Sequence, residues 1–204
     1  FDAAPFDFSN RAAAFDAIAQ AVGVSTYQRQ YYPAYHAIMA CVVGGWNQPM
    51  SEASEHEMAV FVDLMRDSVA GNMVRTLFLN RQKAAKLGLL APTSPLAAGD
   101  DALLPRLKAV QSRVKELKLA EDEKLLALAL AAITVWNEGR VEQPEFADVA
   151  VVSAGLFPSY AGGPFNYLLQ RGLDALQASA KLAAGSNAEL FAIPAGLDRF
   201  LQAA

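Results

Sequence analysis

Residues 137–167 constrain the fold more than any other stretch, because residues that end and begin helices follow one another there in a fixed order. Gly139 ends an apolar helix, and Pro144 suits the first turn of a short helix. Residues 154–163 then form a loop rich in Gly, Pro and aromatic side chains, and another helix begins at Pro164 or Phe165. We therefore predict a helix–loop–helix segment in which the loop sets the angle between two helices.

The apolar run from Leu125 to Trp136 leads into this segment. It is shorter than the roughly 20 residues that a helix needs to cross a bilayer, so we predict a buried central helix and no membrane span. No stretch shows the strict alternation of a half-buried strand. These patterns predict an all-α fold.

Helical periodicity also covers the residues before this helix. The predicted helices are Arg11–Val22, Ala34–Val43, a third beginning at Ser51 or Ser54, and Val69–Lys86. Their predicted inward stripes include Phe61, Leu64 and Met65 in the third and Met73, Val74, Leu77 and Phe78 in the fourth.

Residues 87–100 contain two Pro and two Gly and show no helical period. We predict two packed helical subdomains, residues 1–88 and 101–204, joined by a linker at residues 89–100.

The charges exclude some partners. The net charge is −4 and both signs are well mixed, so no basic patch indicates a nucleic-acid partner. A single cysteine, Cys41, cannot form an internal disulfide, which favours a reducing, cytoplasmic setting. Because the chain begins with Phe1, we expect a processed or truncated piece of a longer product.

Three candidate reactive groups favour structural roles. His36 has no carboxylate near it in sequence, so a packed histidine is favoured over a base or a ligand. The cluster of Glu52, Glu55, His56 and Glu57 lacks the Glu-x-x-His spacing of a carboxylate metal site, which favours a solvated helix start. Cys41 lies in an apolar helix and is predicted to be buried and inert. We predict no catalytic, cofactor-binding or metal-binding residue.

The loop is predicted to have a structural role. Proline fixes φ, glycine permits left-handed turns, and the aromatic side chains supply buried area. Amides at the start of the following helix leave anion binding open as a weaker alternative, since no strand precedes the glycine pair. The residues assigned to this structural loop are Gly155, Phe157, Pro158, Gly162, Gly163 and Pro164.

The motif at residues 155–165, with Asn137-Glu138-Gly139, Pro144 and Asp148 before it, resembles the C-terminal helical domain of 3-hydroxyacyl-CoA dehydrogenases. The form it most resembles is that in the α-subunit of the multifunctional fatty-acid β-oxidation enzymes. Residues 34–45, 52–65 and 72–86 are similar to the segment that follows the enoyl-CoA hydratase domain of the same enzymes.

This resemblance implies helices that supply one wall of an acyl-CoA cleft in lipid metabolism. It also implies contacts in a homodimer or with the missing catalytic domains. In the family, NAD and the catalytic residues belong to a hydratase domain and a dinucleotide-binding domain, and no position here matches their motifs. The chain alone is therefore expected to be inactive and to hold no cofactor. Two alternatives remain: a non-catalytic helical scaffold or interaction module, and an independent acyl-CoA binder in which the 155–165 loop closes an apolar slot.

Overall fold

The structure is a computed structural model that describes residues 8–185 and 187–203. Every regular element in this part of the chain is helical and none is a strand, which confirms the all-α fold. Among these residues no helix is both long enough and apolar enough to cross a bilayer. The chain divides into two compact units between Gly71 and Asn72.

The first unit is built around a helical hairpin. Its helices are α1 (Arg11–Ala21), α2 (Thr26–Tyr31), α3 (Pro33–Gly45) and α4 (Met50–Arg66), and α5 (Ser68–Met73) begins in it. Local signals set several of these bounds. Asn10 caps α1 by accepting a hydrogen bond from the Ala13 amide, and Gly23 follows α1 with a φ of +72°.

The hairpin of α3 and α4 depends on a close approach between small residues. A Cβ atom at Gly45 would lie 3.3 Å from the Cβ of Ala53, and a Cβ at Gly44 would overlap with the His56 ring. His56 is half-buried, and its Nε2 lies 3.1 Å from the carbonyl oxygen of Ala40. The prediction of a solvated cluster was therefore wrong for His56, because the ring packs across the hairpin. The predicted start of α4 at Ser51 or Ser54 was also wrong, since α4 begins at Met50.

This contact gives a first prediction. We expect Gly44→Ala to lower the free energy of unfolding by about 2 kcal/mol, because the added methyl group must displace the His56 ring. Gly71→Ala is the matched control: it also lies in a helix, but no atom lies within 4 Å of the added Cβ. We expect this control to be neutral or to stabilise by up to about 1 kcal/mol. Urea denaturation of both variants measures the difference, and equal stabilities would contradict the close approach.

The other two candidate reactive groups, His36 and Cys41, lie in α3. The ring of His36 stacks on Phe15 with centroids 4.9 Å apart. Cys41 is half-buried, and burial, followed by the charge of Glu57, raises the pKa of its thiol. The raised thiol pKa disfavours the nucleophilic thiolate, so Cys41 fits a structural role, although it is half-buried and not buried as predicted. His36 is exposed and packs through this ring contact.

The second unit surrounds one apolar helix. Its elements after α5 are a π-helix (Val74–Asn80), α6 (Arg81–Lys86), α7 (Leu103–Glu116), α8 (Glu121–Asn137), α9 (Pro144–Ser153), a 3-10 turn (Ser159–Ala161), α10 (Pro164–Arg171), α11 (Leu173–Ala183) and α12 (Leu197–Ala203). Helix α8 packs against α7, α10 and α11. Most of its residues between Leu125 and Val135 are buried, as its continuous apolar sequence predicts.

The segment predicted as one helix, Val69–Lys86, differs from an α-helix in its middle. The π-helix widens each turn, and the residues that face the interior change. Asn72 and Thr76 are buried, whereas Val74 and Phe78 are exposed. The predicted inward stripe was therefore wrong at Val74 and Phe78. The inward face predicted for the third helix, which is α4, was also wrong at Phe61 and Met65, since both side chains are exposed.

The division between the two units lies earlier than the predicted linker at residues 89–100. The π-helix and α6 both pack against α9, so they belong to the second unit. Ala84 shares a hydrophobic cluster with Phe146 and Val149. Leu89 and Leu90 pack against the same cluster, so the start of the predicted linker lies against the second unit.

Candidate functional site

The loop at residues 154–163 turns the chain from α9 into α10. Gly155, Gly162 and Gly163 all have positive φ angles, of +68°, +75° and +109°. Phe157 is buried, and its ring meets the Tyr167 ring edge to face at 5.8 Å. Pro158 precedes the 3-10 turn, and Pro164 is the first residue of α10. Each residue assigned to the structural loop thus lies in a tight turn, a buried contact or a helix start.

The start of α10 is capped by a carboxylate from another helix. Gly163 occupies the N-cap position and has no side chain to accept a hydrogen bond. The carboxylate of Asp148, in α9, accepts hydrogen bonds from the backbone amides of Phe165 at 2.8 Å and Asn166 at 2.9 Å. These are two of the amides that a helix start leaves without a partner. Asp148 therefore fixes α9 to α10.

Gly163 permits this cap for a steric reason. A Cβ atom on Gly163 would overlap with the Asp148 side chain, and the backbone there has φ +109° and ψ +167°. Only glycine adopts this region readily. The glycine pair is thus a close approach to a carboxylate and not an anion cradle, because Asp148 already occupies the amides that an anion would bind.

A network of side-chain amides joins the last turn of α5 to the loop. Asn72 donates to the carbonyl oxygen of Tyr160 at 3.0 Å and pairs with the side-chain amide of Gln170. Asn166 donates to the Oδ1 of Asn72 at 3.0 Å and to the carbonyl oxygen of Ala161 at 2.9 Å. These bonds span up to 98 residues in sequence, so they hold the loop in one position.

A cleft of about 390 Å³ opens beside this network. Its apolar part is an aromatic group in which the Phe200 ring lies 5.3 Å from Trp136 and 5.5 Å from Phe165. Leu169 is also in the lining and is partly exposed. Clefts of this size and composition are typical of small-molecule sites. The remaining lining residues are Arg75, Thr76, Asn80, Pro144, Glu145, Asp148, Asn166 and Ala203.

Three of the polar lining residues come from the π-helix. Thr76 is buried and donates to the carbonyl oxygen of Gly162 at 2.8 Å. Arg75 is exposed and donates to the Oδ1 of Asn166 at 3.2 Å. Among the described residues no carboxylate lies within ion-pairing distance of its guanidinium group. The widened turn therefore places Arg75, Thr76 and Asn80 together on the cleft, which fits the frequent presence of π-helical turns at functional sites.

The acidic residues of the cleft differ in environment. Burial raises the pKa of the Asp148 carboxyl well above its usual value, although the two amide donors act in the opposite direction. Glu145, exposed in the first turn of α9, raises it further. The cleft thus combines an apolar floor with one cation, one exposed carboxylate and amide groups. These groups suit the binding of an amphipathic molecule.

A larger cleft of about 610 Å³ lies between the turns at residues 87–102 and 139–143. Its one cationic lining residue, Arg140, is already paired with Asp101 at 3.4 Å and with Glu138 at 3.7 Å. Because these contacts occupy its charge, the smaller cleft is the better candidate site.

Sequence reasoning missed most residues around the smaller cleft. Asp148 and the segment 72–86, which contains Asn72, Arg75 and Thr76, were noted only as parts of a resemblance, and no role was predicted for these side chains. One available signal was a lone Asp in the apolar run of residues 146–152.

The lining of the smaller cleft includes the carboxyl groups of Glu145 and Asp148 and the hydroxyl group of Thr76. The described lining contains no His, Cys or Ser side chain. Within residues 8–185 and 187–203, no group of three His, Cys, Asp or Glu side chains is placed to hold a metal ion. Comparison of the chain with protein-family models, curated proteins and solved structures finds no match.

Proposed function

We propose that this chain is a relative of the β-oxidation α-subunit that binds acyl-CoA without its own catalytic residues. The acyl chain occupies the cleft formed by Trp136, Phe165 and Phe200, and the thioester and CoA lie outside it. The helices act by positioning, and any chemistry belongs to other domains or proteins. The proposal includes a homodimer or a contact with the family's catalytic domains, as the resemblance implies.

The observation that carries this proposal is the position of the apolar cleft. Phe165 belongs both to the 155–165 motif and to the cleft wall. One residue of the motif thus contributes to the wall of an apolar cleft, and this supports an acyl chain as the ligand. Two lining residues, the exposed Arg75 and the half-buried Asn80, offer hydrogen bonds to the polar end of such a ligand.

Calorimetry with acetoacetyl-CoA and octanoyl-CoA tests acyl binding. We expect octanoyl-CoA to bind with a Kd below about 1 mM. Each buried methylene adds about 0.8 kcal/mol, so four further carbons are worth up to about 3 kcal/mol of affinity over acetoacetyl-CoA. The absence of heat for both ligands at about 1 mM would contradict acyl binding.

A pair of leucine variants locates the bound chain. Leu169→Asp places a charge at the cleft, and we expect it to weaken octanoyl-CoA binding more than tenfold. Leu182→Asp introduces the same change on α11, where the side chain is 87% exposed and outside the cleft. We expect this control to bind like the original chain. Equal weakening by the two variants would place the acyl chain elsewhere.

The alternative function is a helical scaffold that binds no small molecule. Large apolar side chains exposed on α4, among them Phe61, favour a role in protein contacts. The two functions separate in the same titration, because a scaffold gives no heat with either acyl-CoA.

A further inference from the structure

Helix α4 has two apolar faces, and the hairpin uses only one of them. Ala53 and His56 pack against α3. A second set of apolar side chains on this helix is exposed: Met58, Phe61, Val62 and Met65, with exposed fractions between 39% and 62%. They are spaced i, i+3, i+4 and i+7, so they form one continuous stripe, which we call the α4 stripe.

Carboxylates border the α4 stripe. At 100° per residue, Glu57 lies along one edge of the stripe and Glu55 along the other. Glu52 and Asp63 add two further negative charges on the same helix, and all four residues are exposed. Arg66 is the only Lys or Arg in α4, and it lies 3.8 Å from Asp63. The α4 stripe is therefore an apolar surface on a helix whose charged side chains are mostly negative.

We infer that the α4 stripe docks an amphipathic helix whose apolar face is flanked by Lys or Arg. Methionine side chains adapt to differently shaped partners, and the stripe contains two of them beside Phe61. An amphipathic helix meets such a surface through anchors of the same i, i+3, i+4, i+7 spacing. Its basic flanks would pair with Glu55 and Glu57, which sets the orientation and speeds the encounter.

The same charges disfavour two other occupants. A second copy of the chain that placed α4 against α4 would bring two acidic helices together, and like charges across an interface are destabilising. An anionic membrane surface would be repelled by the same carboxylates, because both are negatively charged. Amphipathic helices that bind such membranes carry basic polar faces, and that of α4 is acidic.

Fluorescence anisotropy with a labelled helical peptide of Leu and Lys, about 14 residues long, tests this inference. We expect micromolar binding that weakens as salt increases. A peptide with Glu in place of Lys is expected not to bind. A Leu/Lys peptide of the same composition but without a helical apolar face is expected to bind at least tenfold more weakly. Equal binding of this scrambled peptide would overturn the inference, because it would reflect charge alone.

Two phenylalanine variants locate the contact. Phe61→Ser is expected to weaken peptide binding at least tenfold. Phe78→Ser is the matched control, since Phe78 is similarly exposed but lies in the π-helix. We expect it to bind like the original chain. The double variant Glu55→Gln/Glu57→Gln should weaken binding and reduce its salt dependence. Unchanged binding by Phe61→Ser would overturn the inference.

Two further measurements assign the stripe if the partner class is different. A dimer in sedimentation that Phe61→Ser abolishes and Phe78→Ser retains would assign it to a second copy. Binding to vesicles of phosphatidylcholine and phosphatidylserine with the same dependence would assign it to a membrane. Either result overturns the proposed helix partner. Leu169→Asp, which disables the acyl cleft, is expected to retain peptide binding, so the two proposals fail separately.

Discussion

Replacing Gly163 by Val is expected to lower the free energy of unfolding by about 4 kcal/mol and the melting temperature with it. The backbone at Gly163 lies in a region that only glycine adopts readily, which alone is worth about 1–3 kcal/mol. The valine side chain would also overlap with Asp148, so the carboxylate would have to leave the start of α10. Urea denaturation followed by circular dichroism measures the loss.

Gly155→Val is the control for this variant. Gly155 also has a positive φ, of +68°, but no atom lies within 4 Å of an added Cβ. We expect a loss of about 1–2 kcal/mol there, from backbone strain alone. If the two variants lose equal stability, the contact with Asp148 does not contribute.

Replacing Asp148 by Ala is expected to lower the free energy of unfolding by about 3–4 kcal/mol. The change leaves the amides of Phe165 and Asn166 buried without acceptors, and each such group costs about 1–3 kcal/mol. Asp148→Asn should be less severe, because one amide oxygen can still accept a hydrogen bond. The NH₂ group of the asparagine side chain would face the second backbone amide, and two donors cannot form a hydrogen bond with each other. A loss below about 1 kcal/mol in Asp148→Ala would contradict the cap.

The pH dependence of these variants tests the electrostatics of the cap. Burial raises the pKa of the Asp148 carboxyl in the folded state above its unfolded value of about 4. The folded state therefore holds this proton more tightly. Its contribution to stability is fully present below pH 4 and is lost as the pH rises through the folded pKa.

The Asn side chain does not titrate, so only the original chain loses this contribution as the pH rises. We therefore expect the difference in the free energy of unfolding between the original chain and Asp148→Asn, which we call the gap, to narrow. Urea denaturation across that pH range measures the gap. A gap that widens with pH would show that the two amide donors outweigh burial.

Much of the helical architecture could be predicted because its signals are local. Pro33, Pro144 and Pro164 each stand in the first turn of a helix, where the missing amide hydrogen is not needed. Gly23 and Gly139 follow helix ends with positive φ. The continuous apolar sequence of α8 also predicted its burial, since a helix that is apolar on all sides must be surrounded.

The candidate site could not be predicted in the same way, because it depends on residues far apart in the chain. Asn72 and Asn166 are 94 positions apart, and Thr76 bonds to a loop carbonyl 86 positions away. Helical periodicity predicted apolar residues on the inner face of this segment. The π-helix and the amide network placed Asn72 and Thr76 there instead, because the buried polar atoms of these two side chains form hydrogen bonds across the second unit.

In the 155–165 segment, some features follow from the sequence alone and others only from the tertiary structure. Its glycines and prolines determined by themselves that the chain turns sharply and begins a helix at Pro164 or Phe165, because proline fixes φ and glycine permits positive φ wherever they occur. Only the tertiary structure decided that Gly163 lies against Asp148 and that Phe165 forms a cleft wall. Those outcomes depend on the packing of α9, α10 and α12, and no local preference of the backbone encodes which distant side chain fills the space that a glycine leaves.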